Sequence, residues 1–120
     1  MAKKMVVFVG SDEPQKAFPP FMLGSGAIAM DMKLMLFFTM NGLNIVKKGG
    51  AEKIKLEGAP KPLTEFIDIL REAKAELIAC SAAFPIVGCK EEDLIEGVEC
   101  GGVATFVDEA EEADIVLTFC

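Results

Sequence analysis

Residues 5–13 read MVVFVGSDE, and the fold follows from how this stretch is read. Met5-Val6-Val7-Phe8-Val9 is an unbroken apolar run rich in Val, closed by Gly10-Ser11-Asp12-Glu13. A strand with one wet face would alternate polar and apolar positions. A continuous run predicts a strand buried on both faces, as parallel sheets require. Lys3 and Lys4 ahead of it give a superficial likeness to a signal peptide, but the run is too short and stops as a strand stops.

Working outward, Phe21–Met32 is mostly good helix former, and Pro19-Pro20 suits a first turn better than a helix interior. Lys33–Met40 (KLMLFFTM) reads as a second buried strand, ended by Asn41-Gly42. The linker Asn44–Pro60 alternates Ile54 and Leu56 with Lys, a pattern compatible with a short exposed strand. Over Lys61–Ala75, Leu63, Phe66, Ile67 and Leu70 fall on one helical stripe. Glu76–Cys80 (ELIAC) is a third strand, and Ser81-Ala82-Ala83-Phe84 should then turn helical. Lys90–Ile95 reads as a helical turn, Gly97–Cys100 as a strand, Gly102–Ala113 as a helix and Ile115–Phe119 as a fifth strand. Alternation at this spacing predicts an α/β fold: a three-layer α/β/α sandwich with a five-stranded parallel sheet, in a single domain over residues 1–120.

Composition narrows the chemistry. The 120 residues contain no His, Trp or Tyr, so the usual proton shuttle and the commonest metal ligand are missing. Any reaction must rest on Cys, carboxylates, Lys or backbone dipoles. The net charge of −7 is uneven: residues 1–48 are mainly basic, whereas Glu91–Asp114 holds acids and no base. Nucleic acid is therefore not an expected partner. The acidic run reads as a solvated face or as a docking surface for a basic partner. Phe18–Met30 is too short to span a bilayer. Four cysteines without an export signal suggest reduced thiols in the cytoplasm.

Ligands of open parallel sheets bind beyond the carboxyl ends of the strands. Cys80, Cys100 and Cys120 each end an expected strand, and Cys89 follows shortly after Cys80. Cys80 is the foremost candidate, because a thiol at a helix N-terminus is stabilised as thiolate. The same position also suits a thiol that merely packs. Cys89 could act as a resolving or relay thiol, although Glu91, Glu92 and Asp93 disfavour its thiolate. Gly10, Ser11, Asn41, Ser81, Cys100 and Gly101 lie at strand ends on the same edge and are the candidate binding residues. No Cys-x-x-Cys and no zinc-like spacing occurs, so no metal or cofactor is expected. Gly24-Ser25-Gly26 falls within a helix and reads as close packing, not as a phosphate loop.

The run Ala27–Leu43 (AIAMDMKLMLFFTMNGL), with Ala79-Cys80, Gly88, Glu92–Glu99 (EDLIEGVE) and Gly101-Gly102-Val103-Ala104, resembles the DsrE/DsrF-like family in order along nearly the whole chain. The resemblance implies a parallel five-stranded α/β/α domain that forms homo-oligomers or related hetero-oligomers. It also implies a sulfur-relay role in which the Cys at the position of Cys80 accepts a persulfide or thiosulfonate group. The acceptor implied is often a small TusA-like carrier, and Cys89 matches the second Cys of some members. Pro85 interrupts the segment after Cys80, and Cys100 stands where a small aliphatic residue is usual.

Three functions compete. The first is a sulfur carrier or sulfurtransferase acting through Cys80. The second is a non-catalytic oligomeric scaffold whose apolar Phe37–Val46 region forms the interface. The third is a thiol peroxidase, disfavoured because Glu76-Leu77-Ile78-Ala79 supplies no Thr or Arg and Arg71 is the only arginine. A disulfide from Cys80 to Cys89 or Cys100 is a further possibility. The relay reading requires a Cys80 side chain that a reagent can reach.

Overall fold

The computed structural model describes residues 3–120. Five strands, β1 (Lys4–Val9), β2 (Lys33–Phe38), β3 (Glu76–Cys80), β4 (Val98–Gly101) and β5 (Ile115–Phe119), form one parallel sheet in the order β4-β3-β2-β1-β5. Its helices are α1 (Pro14–Ala29), α2 (Leu43–Val46), α3 (Leu63–Glu72), α4 (Phe84–Val87) and α5 (Val103–Glu112). The expected architecture is present. Val6, Val7, Val9, Met35, Leu36 and Phe38 are all fully buried, which explains why these strands read as unbroken apolar runs.

The two sheet faces are covered unequally. Phe21 of α1 stacks on Phe38, with ring centroids 6.0 Å apart, and Phe18 meets Phe66 of α3 edge to face at 6.4 Å. Side chains alternate along a strand, so Phe8 and Phe37 point the other way, where Phe106 of α5 lies 5.5 and 5.3 Å from their centroids. Helix α5 covers that second face alone, tied to β1 by an ion pair between Lys4 and Glu109.

Several local expectations need correction. Helix α1 begins at Pro14, and Pro19 and Pro20 lie inside it. Each proline removes a backbone donor. Burial of Phe18, Pro20 and Phe21 against the sheet outweighs that loss. Strand β2 ends at Phe38, because Met40 adopts φ 50°, a left-handed conformation that a strand cannot hold. The linker forms no strand; one antiparallel bridge joins Lys47 to Leu94 outside the sheet. The turn expected at Lys90–Ile95 is a 3₁₀ turn at Glu91–Asp93, with the Lys90 N–H donating to Asp93 Oδ2 at 2.9 Å. Within the single chain most of the Phe37–Val46 region is already buried: Phe37, Phe38, Leu43, Ile45 and Val46 join the core, and Met40 is its large exposed apolar side chain.

Candidate functional site

Strand order singles out one place on the carboxyl edge. From β3 the chain enters a segment that stays with the α1/α3 layer, where Arg71 of α3 donates to the Glu96 carbonyl at 2.7 Å. From β4 it passes to α5 on the opposite face. Neighbouring strands whose connections leave to opposite faces define a topological switch point, where open α/β sheets form their ligand crevice. Here that point lies between Cys80 and its register partner Gly101. Ser81 Oγ donates to the Gly101 carbonyl at 3.3 Å across it. A Cβ on Gly101 would lie 2.7 Å from Ile78 Cγ2 and 3.2 Å from Thr105 Oγ1, so the seam admits no side chain. Cys80, Ser81 and Gly101 are thus brought together.

The thiol itself is not open. Cys80 is 2% exposed, and none of the three cavities described borders it. Nor does a long helix follow. Ser81–Ala83 form a 3₁₀ turn and α4 has four residues, with Pro85 in its first turn. The dipole support expected for Cys80 is correspondingly short. The accessible, helix-activated thiol read from sequence is therefore corrected on both counts in the single chain. The shortness of α4 has a local cause: Pro85 lies in its first turn and Gly88, in the αL conformation, ends it.

Cys89 and Cys100 form a separate neighbourhood. Cys89 is 6% exposed, and its thiol contacts the Lys90 carbonyl at 3.5 Å. Burial pushes the Cys89 thiol above its ordinary 9.0; the Lys47 ammonium opposes this and Asp93 reinforces it. Cys100, exposed on edge strand β4, is raised by desolvation, then by Glu91 and Cys89. Cys89 thus lies close enough to Cys100 to act on its charge. Cys100 is in register with Ala79, and Cys80 with Gly101, so Cys80 and Cys100 point to opposite sheet faces. Their Cβ vectors diverge, which disfavours a bridge without backbone movement. All four cysteines are free.

The remaining candidates are spread along the edge. The Gly10 N–H donates to the Phe119 carbonyl at 2.7 Å, placing Gly10 beside β5 and Cys120. Ser11 Oγ accepts the Glu13 N–H at 3.1 Å. Asn41 is exposed in the 3₁₀ turn Met40–Gly42, after β2. Gly10 and Ser11 follow β1, two strands from Cys80, about 10 Å away at ordinary strand spacing. Sequence reading passed over Thr39, a buried polar residue beyond β2, and Lys47 beside Cys89. The Lys47-Lys48 pair was the available signal for the latter. Among the described residues no group of three or more Cys, Asp or Glu is arranged to hold a metal ion. Arg71 is engaged by Asp68 at 2.6 Å and by the Glu96 carbonyl.

Comparison with known proteins agrees with this topology. The DsrE/DsrF-like family matches residues 2–119. The chain belongs to the DsrE/DsrF-like family. One relative, the sulfur carrier protein DsrE2 of Allochromatium vinosum, is 26% identical, with 96% of this chain and 97% of that protein aligned. The uncharacterized protein YrkE of Bacillus subtilis is 25% identical over 96% of each chain. The crystal structure of ychN from E. coli superposes with a TM-score of 0.78 at 21% identity, covering 99% of this chain and all of that one. That likeness extends the family's three-layer fold to this chain. Membership in the DsrE/DsrF-like family supports a role in sulfur relay. Among the described residues no helix is long and apolar enough to cross a membrane.

Proposed function

We propose that this protein is a cytoplasmic sulfur carrier that holds one sulfane sulfur on Cys80 and yields it to a partner thiol. The observation that carries the reading is the thiol at the switch point, on a chain that matches a sulfur-relay family along its length. Cys80 thiolate attacks the outer sulfur of a donor persulfide, the donor thiolate leaves, and Cys80 becomes the persulfide. An acceptor thiolate then repeats the step. No net oxidation occurs, and each transfer is the elementary step of disulfide exchange. Because Cys80 is buried, loading requires local opening around the end of β3, which the 3₁₀ turn Ser81–Ala83 and the four-residue α4 follow. Short helical turns of this kind belong to the low-stability end of a fold. A small TusA-like carrier is the acceptor in this scheme; Cys89, which neighbours Cys100, would act as a relay thiol only after rearrangement.

Self-association belongs to the same reading. Val103 and Val107 of α5 and Ile115 and Val116 of edge strand β5 are exposed apolar residues, and β5 pairs on one side only. The sealed thiol favours the second reading, a non-catalytic subunit. One experiment separates them: the folded protein is treated with inorganic polysulfide, desalted and mapped by peptide mass spectrometry. One added sulfur on Cys80, lost in Cys80→Ala, is expected. An unmodified Cys80 in folded protein defeats the relay and leaves the scaffold reading.

A further inference from the structure

A second cleft lies away from Cys80, on the α1 side of the molecule. It has a volume of about 450 Å³ and is lined by Asp12, Glu13, Asn44, Lys47, Lys48 and Lys53 among others. Three lysines line one cavity in a chain whose net charge is −7. A tight turn gathers them. The Gly50 N–H donates to the Lys47 carbonyl at 2.9 Å and the Lys53 N–H to the Gly50 carbonyl at 3.1 Å, bringing Lys53 back beside Lys47 and Lys48. A Cβ on Gly50 would overlap the Asn44 carbonyl, so this turn closes only with glycine there.

Of the two carboxylates in the cleft only Glu13 is charge-paired; Asp12 is held by a neutral amide, so the three lysines still leave an excess of two positive charges. Asp12 Oδ2 accepts the Asn44 amide at 2.9 Å, and Glu13 pairs with Lys16 at 3.4 Å. The ion pairs among the described residues use Lys4, Lys16 and Arg71. Lys47, Lys48 and Lys53 have no carboxylate within pairing distance. Three unpaired like charges around one concavity repel each other, and a multiply charged anion between them relieves that repulsion. Each ammonium brings three donors and no acceptor, which suits an anion with several oxygens.

We propose that this cleft binds a compact dianionic oxyanion of the phosphate class, free or as the terminal group of a larger molecule. A polyanion such as nucleic acid does not fit: the cavity is concave and the chain as a whole carries net negative charge. Lys47 links the cleft to the thiols, because its charge also favours the Cys89 thiolate. Occupancy of the cleft draws on that charge, so a bound dianion makes Cys89 less reactive.

The test is calorimetric titration of the intact protein with inorganic phosphate and, separately, with adenosine monophosphate, at low ionic strength and slightly alkaline pH. Saturable binding is expected, with affinity falling about tenfold or more in Lys47→Gln and in Lys53→Gln, the loss of roughly 1.4 kcal/mol that one charge-assisted contact supplies. Lys33→Gln, at the amino end of β2, removes the same charge elsewhere and should bind as the parent does. Tighter binding of the nucleotide identifies a phosphorylated metabolite; equal affinities identify the free oxyanion. Absence of saturable binding for both probes, or an equal loss in Lys33→Gln, overturns the assignment. Cys80→Ala should titrate unchanged, so failure here and failure of the sulfur reading are separate results.

Discussion

At the level of single residues, the thiols differ by environment. Cys89 keeps its proton because burial outweighs the help of Lys47. A group whose folded-state value is raised contributes stability below its unfolded value, and that contribution is lost as pH climbs through the folded value. Stability should therefore decline above pH 9.0, the ordinary value of the thiol, and not in the neutral range. Iodoacetamide labelling followed by mass spectrometry should show Cys89 reacting at a higher pH in folded protein than in urea. Lys47→Gln should move the folded profile higher still. Equal profiles in both states would remove burial as the cause. Cys80 is protected by burial at the end of β3, and its reactivity should follow local opening there.

At the level of elements, α1 shows how packing overrules local preference. It carries Pro19, Pro20 and Gly24-Ser25-Gly26, all poor helix residues, yet spans sixteen residues. Gly24 is held by contact: a Cβ there would lie 2.9 Å from Leu34 Cδ2. Gly26 is exposed with nothing within 4 Å of the same position. Gly26→Ala should therefore stabilise the protein by about 0.5–1 kcal/mol, because alanine has less chain freedom to lose on folding. Gly24→Ala should be neutral or destabilising, since Leu34 must move. Urea unfolding of both variants checks the pair, and a destabilised Gly26→Ala would contradict the open geometry.

At the level of the whole molecule, coverage is asymmetric. One face of the sheet carries α1 and α3, the other α5 alone, and Val107 and Val116 on that side remain exposed. Oligomerisation through α5 and β5 would cover them. Sedimentation at micromolar concentration should give a species larger than the monomer. Val107→Glu should shift it toward the monomer with an unchanged circular dichroism spectrum, because the residue is outside the core. A monomeric parent protein would leave the apolar strip without this explanation.

Chain pattern alone carried the architecture. The unbroken runs Met5–Val9 and Leu77–Cys80 needed two covered faces, and the stripe Leu63-Phe66-Ile67-Leu70 needed one. The cysteines at the ends of β3 and β4 were legible because each run stops at a thiol or the residue beside it. Helix α1's true start was not, since prolines mislead when tertiary burial offsets the donors they remove. Strand order, absent from any local pattern, came only with the fold: it put Cys80 beside Gly101 at the switch point and turned Cys100 to the opposite face. Folding also buried the thiol that sequence position had left open, and drew Lys47, Lys48 and Lys53 around one cavity. Periodicity reports which residues leave water together, whereas access and convergence depend on contacts between segments far apart in the chain.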